Sequence, residues 1–225
     1  MSEKVTFPGP DGVSVRGTLT LPTGTGRAPA IVLVHEWWGL NAHIDSLATR
    51  LAAEGFLVVA PDLYHGVSTA DPAEASRLMN ALDTHAAVAE IGAAASFVRA
   101  HERATGKVGI AGFCLGGALA FASACQVRGL SAVVPFYGIP MPEKVDYSGV
   151  EAPILAHFAI KDGWITQEKV RSLEDTLKEL GKDIRFESYA ADHAFVNDTR
   201  KELYDPENAK LAWERTVAFF HHHMD

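Results

Sequence analysis

Cysteine is scarce in this chain: only Cys114 and Cys125 occur among 225 residues. On one helix pattern they stand about three turns apart, beyond disulfide reach. Both thiols are therefore expected to be reduced, as in a cytoplasmic protein. No apolar run approaches the roughly 18 residues of a membrane span, so no membrane partner is expected. The opening MSEKVTFPGPDG has no basic-then-apolar leader, which also fits a cytoplasmic location. Positive charge is in deficit, with 20 Lys and Arg against 28 Asp and Glu and a net charge of −8. Without a Lys/Arg cluster, nucleic acid is not an expected partner. Internal repeats and low-complexity linkers are absent. So is any zinc-type ligand spacing, and no metal or other cofactor is expected. The adjacent His221, His222 and His223 read as a solvated tail at the end of a helix pattern.

What is present suits one α/β domain over residues 1–225. Apolar residues make up 48% of the chain, enough to fill a sizeable core without cross-links. Strand patterns lie at 13–21, 30–35, 56–60, 107–111, 130–136, 153–159 and 184–189. Helix patterns lie at 43–54, 72–82, 84–103, 115–126, 166–180 and 206–221, with Asp83 placed to cap the third. Strands alternating with helices predict a largely parallel sheet covered on both faces. The runs 31–34 and 57–59 are apolar at consecutive positions, as strands buried on both faces are. The two earliest patterns are open to antiparallel pairing. Cys125 reads as a small core residue.

The segment Gly112-Phe113-Cys114-Leu115-Gly116-Gly117 joins a β-prone run to an Ala-rich helix pattern. It reads as a nucleophile elbow with cysteine in the position usual for serine. Gly112 and Gly116 relieve crowding around the turn, leaving the Cys114 sulfur at a helix N-terminus. The Leu115 N–H then points to where an oxyanion would form. Asp162 and His193 follow two later strand patterns. Working residues of open α/β sheets gather beyond the carboxyl ends of the strands, so the three side chains share one edge. Each alone has a plainer reading: Asp162-Gly163 is a common turn dipeptide, and ten histidines make a chance position easy. Together they stand in the order nucleophile, acid, histidine, which is that of α/β-hydrolases. A thiolate attacks acyl carbon, His193 moves the proton, and Asp162 fixes the ring tautomer.

On these residues, and on VHEWWGLN (34–41), APDLYHG (60–66), KDGWIT (161–166) and DHAF (192–195), the chain resembles the dienelactone hydrolase family of α/β-hydrolases. The resemblance implies a Cys114–His193–Asp162 triad, no cofactor, and hydrolysis of an enol-lactone or related small ester as the partner molecule. It also implies that Glu36 contacts the resting Cys114 thiol and takes its proton when substrate binds. A magnitude agrees with a neutral resting thiol. A helix N-terminus favours an anion by about 0.3–2 kcal/mol, whereas a carboxylate about 4 Å away costs a thiolate about 4 kcal/mol at an effective dielectric near 20.

The Trp37 N–H is expected to complete the oxyanion hole with Leu115. Trp37, Trp164, Tyr64, Phe113 and Arg200 are the candidate substrate contacts, with Trp38, Tyr137 and Phe195 also near strand ends. Well-studied members of the resembled family hold a substrate carboxylate with two arginines. The matching positions here are Asn197 and Pro72, with Arg200 and Arg77 the nearest basic residues, which points to a less anionic substrate. A general carboxylesterase for small aryl esters or thioesters remains an alternative. So does a non-catalytic ligand-binding relative. A monomer or small homo-oligomer is expected.

Overall fold

The strand β3 (Ala28–Val34) shows how the sequence builds the sheet. Ile31 and Leu33 enter one core while Ala30, Val32 and Val34 enter the other, all fully buried. Alternate side chains point to opposite faces, so an unbroken apolar run is what a doubly covered strand requires. The computed structural model describes residues 2–141 and 145–225.

Around β3 lie β1 (Ser2–Pro8), β2 (Ser14–Thr20), β4 (Leu57–Pro61), β5 (Ala104–Phe113), β6 (Ala132–Phe136), β7 (Ile154–Ala159) and β8 (Ile184–Tyr189). They form one eight-stranded sheet in the order β1-β2-β4-β3-β5-β6-β7-β8. From β4 to β8 every pairing is parallel; β2 runs antiparallel to both β1 and β4.

One face is covered by α3 (Thr84–Arg99), α4 (Leu115–Gln126) and α5 (Gln167–Glu179). The other is covered by α1 (Ala42–Ala53) and α6 (Pro206–Met224). A short helix, α2 (Pro72–Ala81), buries only Ala75. Asp71 and Asp83 cap α2 and α3 by accepting from the N–H groups two and three residues on. This is the α/β-hydrolase arrangement, with an antiparallel hairpin leading into a parallel sheet.

Four sequence expectations change. The strand β1 was not expected; only Val5 and Phe7 of it pack inward, and Phe7 stacks on Phe97 at 4.7 Å. The 13–21 and 30–35 patterns do not pair with each other, because β4 lies between them. Helix α3 stops at Arg99 rather than 103. The next residues turn so that Arg103 O accepts from Ala28 N and β5 starts at Ala104. The terminal histidines are not a loose tail. Helix α6 runs through them to a buried Met224, and the His221 ring lies 4.7 Å from that of Phe56. No group of three metal-binding side chains occurs among the described residues. Cys125 is buried, as expected, and donates its thiol to Phe121 O at 3.3 Å.

Candidate active site

Strand β3 is followed by β4 on one side and flanked by β5 on the other, so the strand order reverses beside it. Such a switch point leaves a crevice at the carboxyl ends of the strands. Glu36 leaves β3 there, and Cys114 leaves β5.

Cys114 is the tight point of the turn, with φ 55° and ψ −115°, immediately before α4. A side chain seldom adopts this left-handed geometry, and it is a recurring form of stored strain at functional sites. Two glycines make it possible. A Cβ on Gly112 would collide with the Gly116 carbonyl, and a Cβ on Gly116 would collide with the Val34 carbonyl at the end of β3. The helix thus starts hard against the neighbouring strand. Cys114 remains partly accessible, while Cys125 is buried.

Asp162 lies in the turn after β7. Its Oδ1 accepts from the N–H groups of Trp164 and Ile165 at 2.8 and 3.0 Å. Its Oδ2 faces His193 Nδ1 at 2.6 Å. Burial would raise the carboxyl pKa, but the His193 hydrogen bond and charge and the two backbone donors outweigh it and lower it. For His193, burial alone would lower the pKa. The Asp162 bond and the Cys114 sulfur beside the ring overcome this and raise it to about 10. The other ring nitrogen, Nε2, is buried without a hydrogen-bond partner. The ring packs between Tyr137 and Trp164, at 5.0 and 5.1 Å between centroids. Cys114, Asp162, His193 and Glu36 line one cavity of about 370 Å³.

Glu36 points inward and is 2% exposed. Burial raises its pKa to about 7, against the opposing influence of Asn197, His193 and Arg200. The expected contact between Glu36 and Cys114 is not made as a hydrogen bond; Glu36 Oε2 instead accepts from Asn197 Nδ2 at 2.7 Å. Asn197 is fixed in turn, its Oδ1 accepting from Thr199 N and Oγ1 at 3.1 and 2.6 Å. Sequence reasoning saw Asn197 only as a position without an arginine. Its bond to Glu36 spans 161 positions of sequence, so no local pattern announces it.

The Trp37 N–H donates to no described oxygen. The Leu115 N–H, at the first position of α4, has no intrahelical acceptor. Trp37 and Trp164 lie edge to face at 5.6 Å and wall the cavities on both sides of Cys114.

Two candidate contacts are corrected. Phe113 is 1% exposed and stacks on Phe136 at 4.4 Å, because strand alternation turns it into the α1/α6 core. Tyr64 is buried against His35 and lines neither cavity at Cys114. Tyr137, ranked lower from sequence, does line the apolar cavity. It holds φ 37°, and its hydroxyl is buried without a partner. Its pKa stands well above the tyrosine range, first through burial and then through Glu36 and Cys114. Arg200 reaches the rim near Glu36, but its guanidinium sits over Trp38 at 5.4 Å and bonds Glu202 at 2.6 Å. Arg77 is paired with Glu74 on the exposed side of α2. Phe195 is core.

The dienelactone hydrolase family model matches residues 15–224. The chain belongs to the dienelactone hydrolase family. It is accordingly a carboxylic ester hydrolase by class. "Protein usf" of Aquifex pyrophilus is 35% identical over 95% of this chain and 96% of its own length. A "Putative carboxymethylenebutenolidase" of Aquifex aeolicus is 34% identical over 93% and 94%. The crystal structure of a "Putative Dienelactone Hydrolase" from Klebsiella pneumoniae superposes with a TM-score of 0.89, at 28% identity, covering 98% of both chains. Among the described residues, no helix is long and apolar enough to cross a membrane.

Proposed function

We propose that this family member hydrolyses an enol-lactone or a related small carboxylic ester through Cys114, His193 and Asp162, by way of an acyl-thioester. One observation carries the reading. Asp162 holds His193 Nδ1 at 2.6 Å, leaving Nε2 unbonded on the side of the elbow cysteine. An imidazole that carries a proton, oriented by a buried carboxylate beside a nucleophile, is the arrangement acyl transfer needs.

The thiolate of Cys114 attacks the carbonyl carbon, and the oxygen gains negative charge between the Trp37 and Leu115 N–H groups. Collapse restores the carbonyl and breaks the bond to the leaving oxygen, which receives a proton from His193. Water then attacks the thioester. His193 takes its proton, the thiolate departs, and the acid is released. A lactone keeps its leaving group tethered and yields one product. Glu36, with a pKa of about 7, is suited to accept the thiol proton near neutrality. The engagement of Arg200 with Glu202 favours the broader esterase reading over one requiring a substrate carboxylate.

The test is intact-mass detection of an acyl adduct during turnover of aryl esters and enol-lactones. A transient adduct on the wild type and none on Cys114→Ala, with turnover lost, is expected. Full turnover by Cys114→Ala would remove the cysteine from the reaction.

A further inference from the structure

Two chambers of unlike chemistry meet at Cys114. One, beside Glu36, holds Asn197 and the rim cation Arg200. The other has a volume of about 470 Å³ and extends from Cys114 beneath α2. Apart from His193 at its mouth, the described residues that line it include no aspartate, glutamate, lysine or arginine; Met79, Leu82, Leu119 and Ile165 give apolar surface beside the neutral Ser76, Asn80 and Thr84. That volume falls in the range of small-molecule sites, and such a wall gives water few partners.

The direction of the reaction decides which part of a substrate lies there. The leaving oxygen must face His193, which lines both chambers, and the polar groups Glu36, Asn197 and Arg200 suit the Glu36 chamber to that oxygen. The acyl arm is then directed the other way, along Leu115, Ala118 and Leu119 of α4. A carboxylate on that arm would lose its hydration, and beyond His193 at the mouth no lysine or arginine among the described lining residues replaces it.

We propose that the α2 chamber is the acyl-binding site and selects neutral esters or lactones with an extended apolar acyl group. This rests on the hydrolase reading above and names its substrate class. Each methylene moved from water into an apolar site is worth about 0.8 kcal/mol, or about fourfold in kcat/KM when the contact persists in the transition state.

The test compares p-nitrophenyl acetate, butanoate, hexanoate and hemisuccinate on the wild type, Met79→Glu and Met79→Gln. For the wild type, kcat/KM is expected to rise about fifteenfold from acetate to butanoate and again toward hexanoate. The hemisuccinate, a charged counterpart of the butanoate, should fall at least tenfold below it. Met79→Glu should flatten the chain-length ratio, and the neutral Met79→Gln should retain more of it. Because the ratio is internal to each variant, a partly folded preparation does not change it. Turnover with a flat or falling chain-length profile, or hemisuccinate exceeding butanoate, overturns the acyl site and leaves the hydrolase reading intact. No turnover and no Cys114 adduct with any ester overturns both.

Discussion

Replacing Glu36 by glutamine should stabilise the protein at alkaline pH and leave it nearly unchanged in acid. The side chain is 2% exposed, and burial lifts its pKa from 4.5 to about 7. In the unfolded chain the carboxyl ionises near 4.5; in the folded chain it holds its proton until about 7. Between these values the native state binds more protons than the unfolded state, so stability falls as pH rises. Each pH unit of separation is worth about 1.4 kcal/mol, so the loss reaches about 3 kcal/mol above pH 7. Glutamine has the same shape, carries no charge, and its carbonyl oxygen can still accept from Asn197. The stability difference between Glu36→Gln and wild type should therefore be flat below about pH 4.5, grow from there to about 7, and level off beyond. At 225 residues, where each kcal/mol moves Tm by about 2–4 °C, the variant should melt about 6–12 °C higher at pH 8.5. Thermal melts from pH 4 to 9 measure this directly. A difference that does not vary with pH would refute the argument, since a carboxyl with the same pKa folded and unfolded cannot couple folding to protons. Loss of turnover in the same variant would show that the protein tolerates this unfavourable charge for chemistry.

Asp162→Asn should lower kcat at least a hundredfold; the corresponding change in a serine triad costs about 10⁴. It should also move the His193 titration from about 10 toward 6.5, read by imidazole NMR; in the wild type the stability this pair contributes is complete below 6.5 and is lost as pH rises through about 10. An unmoved imidazole resonance would mean that Asp162 does not hold the ring. Gly112→Ala should cost about 1–3 kcal/mol through overpacking against the Gly116 carbonyl, a drop of about 2–12 °C in Tm, and should disturb the elbow. An alanine variant with normal melting and normal turnover would show that the turn does not need its glycine.

Local pattern carried much of the architecture. The apolar runs of β3 and β4, the Asp83 cap and the glycine-flanked elbow at Cys114 are each set by neighbours within a few positions, and each stands in the structure where its pattern lies. The strand β1 gives only a short signal, because a mostly exposed edge strand needs few apolar residues and SEKVTFP alternates only over Lys4 to Phe7. The strand ends also put Cys114, Asp162, His193 and Glu36 on one edge, since parallel strands share a direction.

The sequence alone determined which side chains leave the strands at that edge, because strand direction and turn chemistry are local. Tertiary structure decided what each side chain meets. Asn197 rather than Cys114 holds Glu36, and Tyr137 rather than Tyr64 faces the apolar cavity. These outcomes depend on which distant segments arrive within about 3 Å of one another, and on how far burial in the assembled core raises the free energy of a charge. Neither the approach nor the solvation is encoded in any short stretch of residues; both exist only once the sheet has closed.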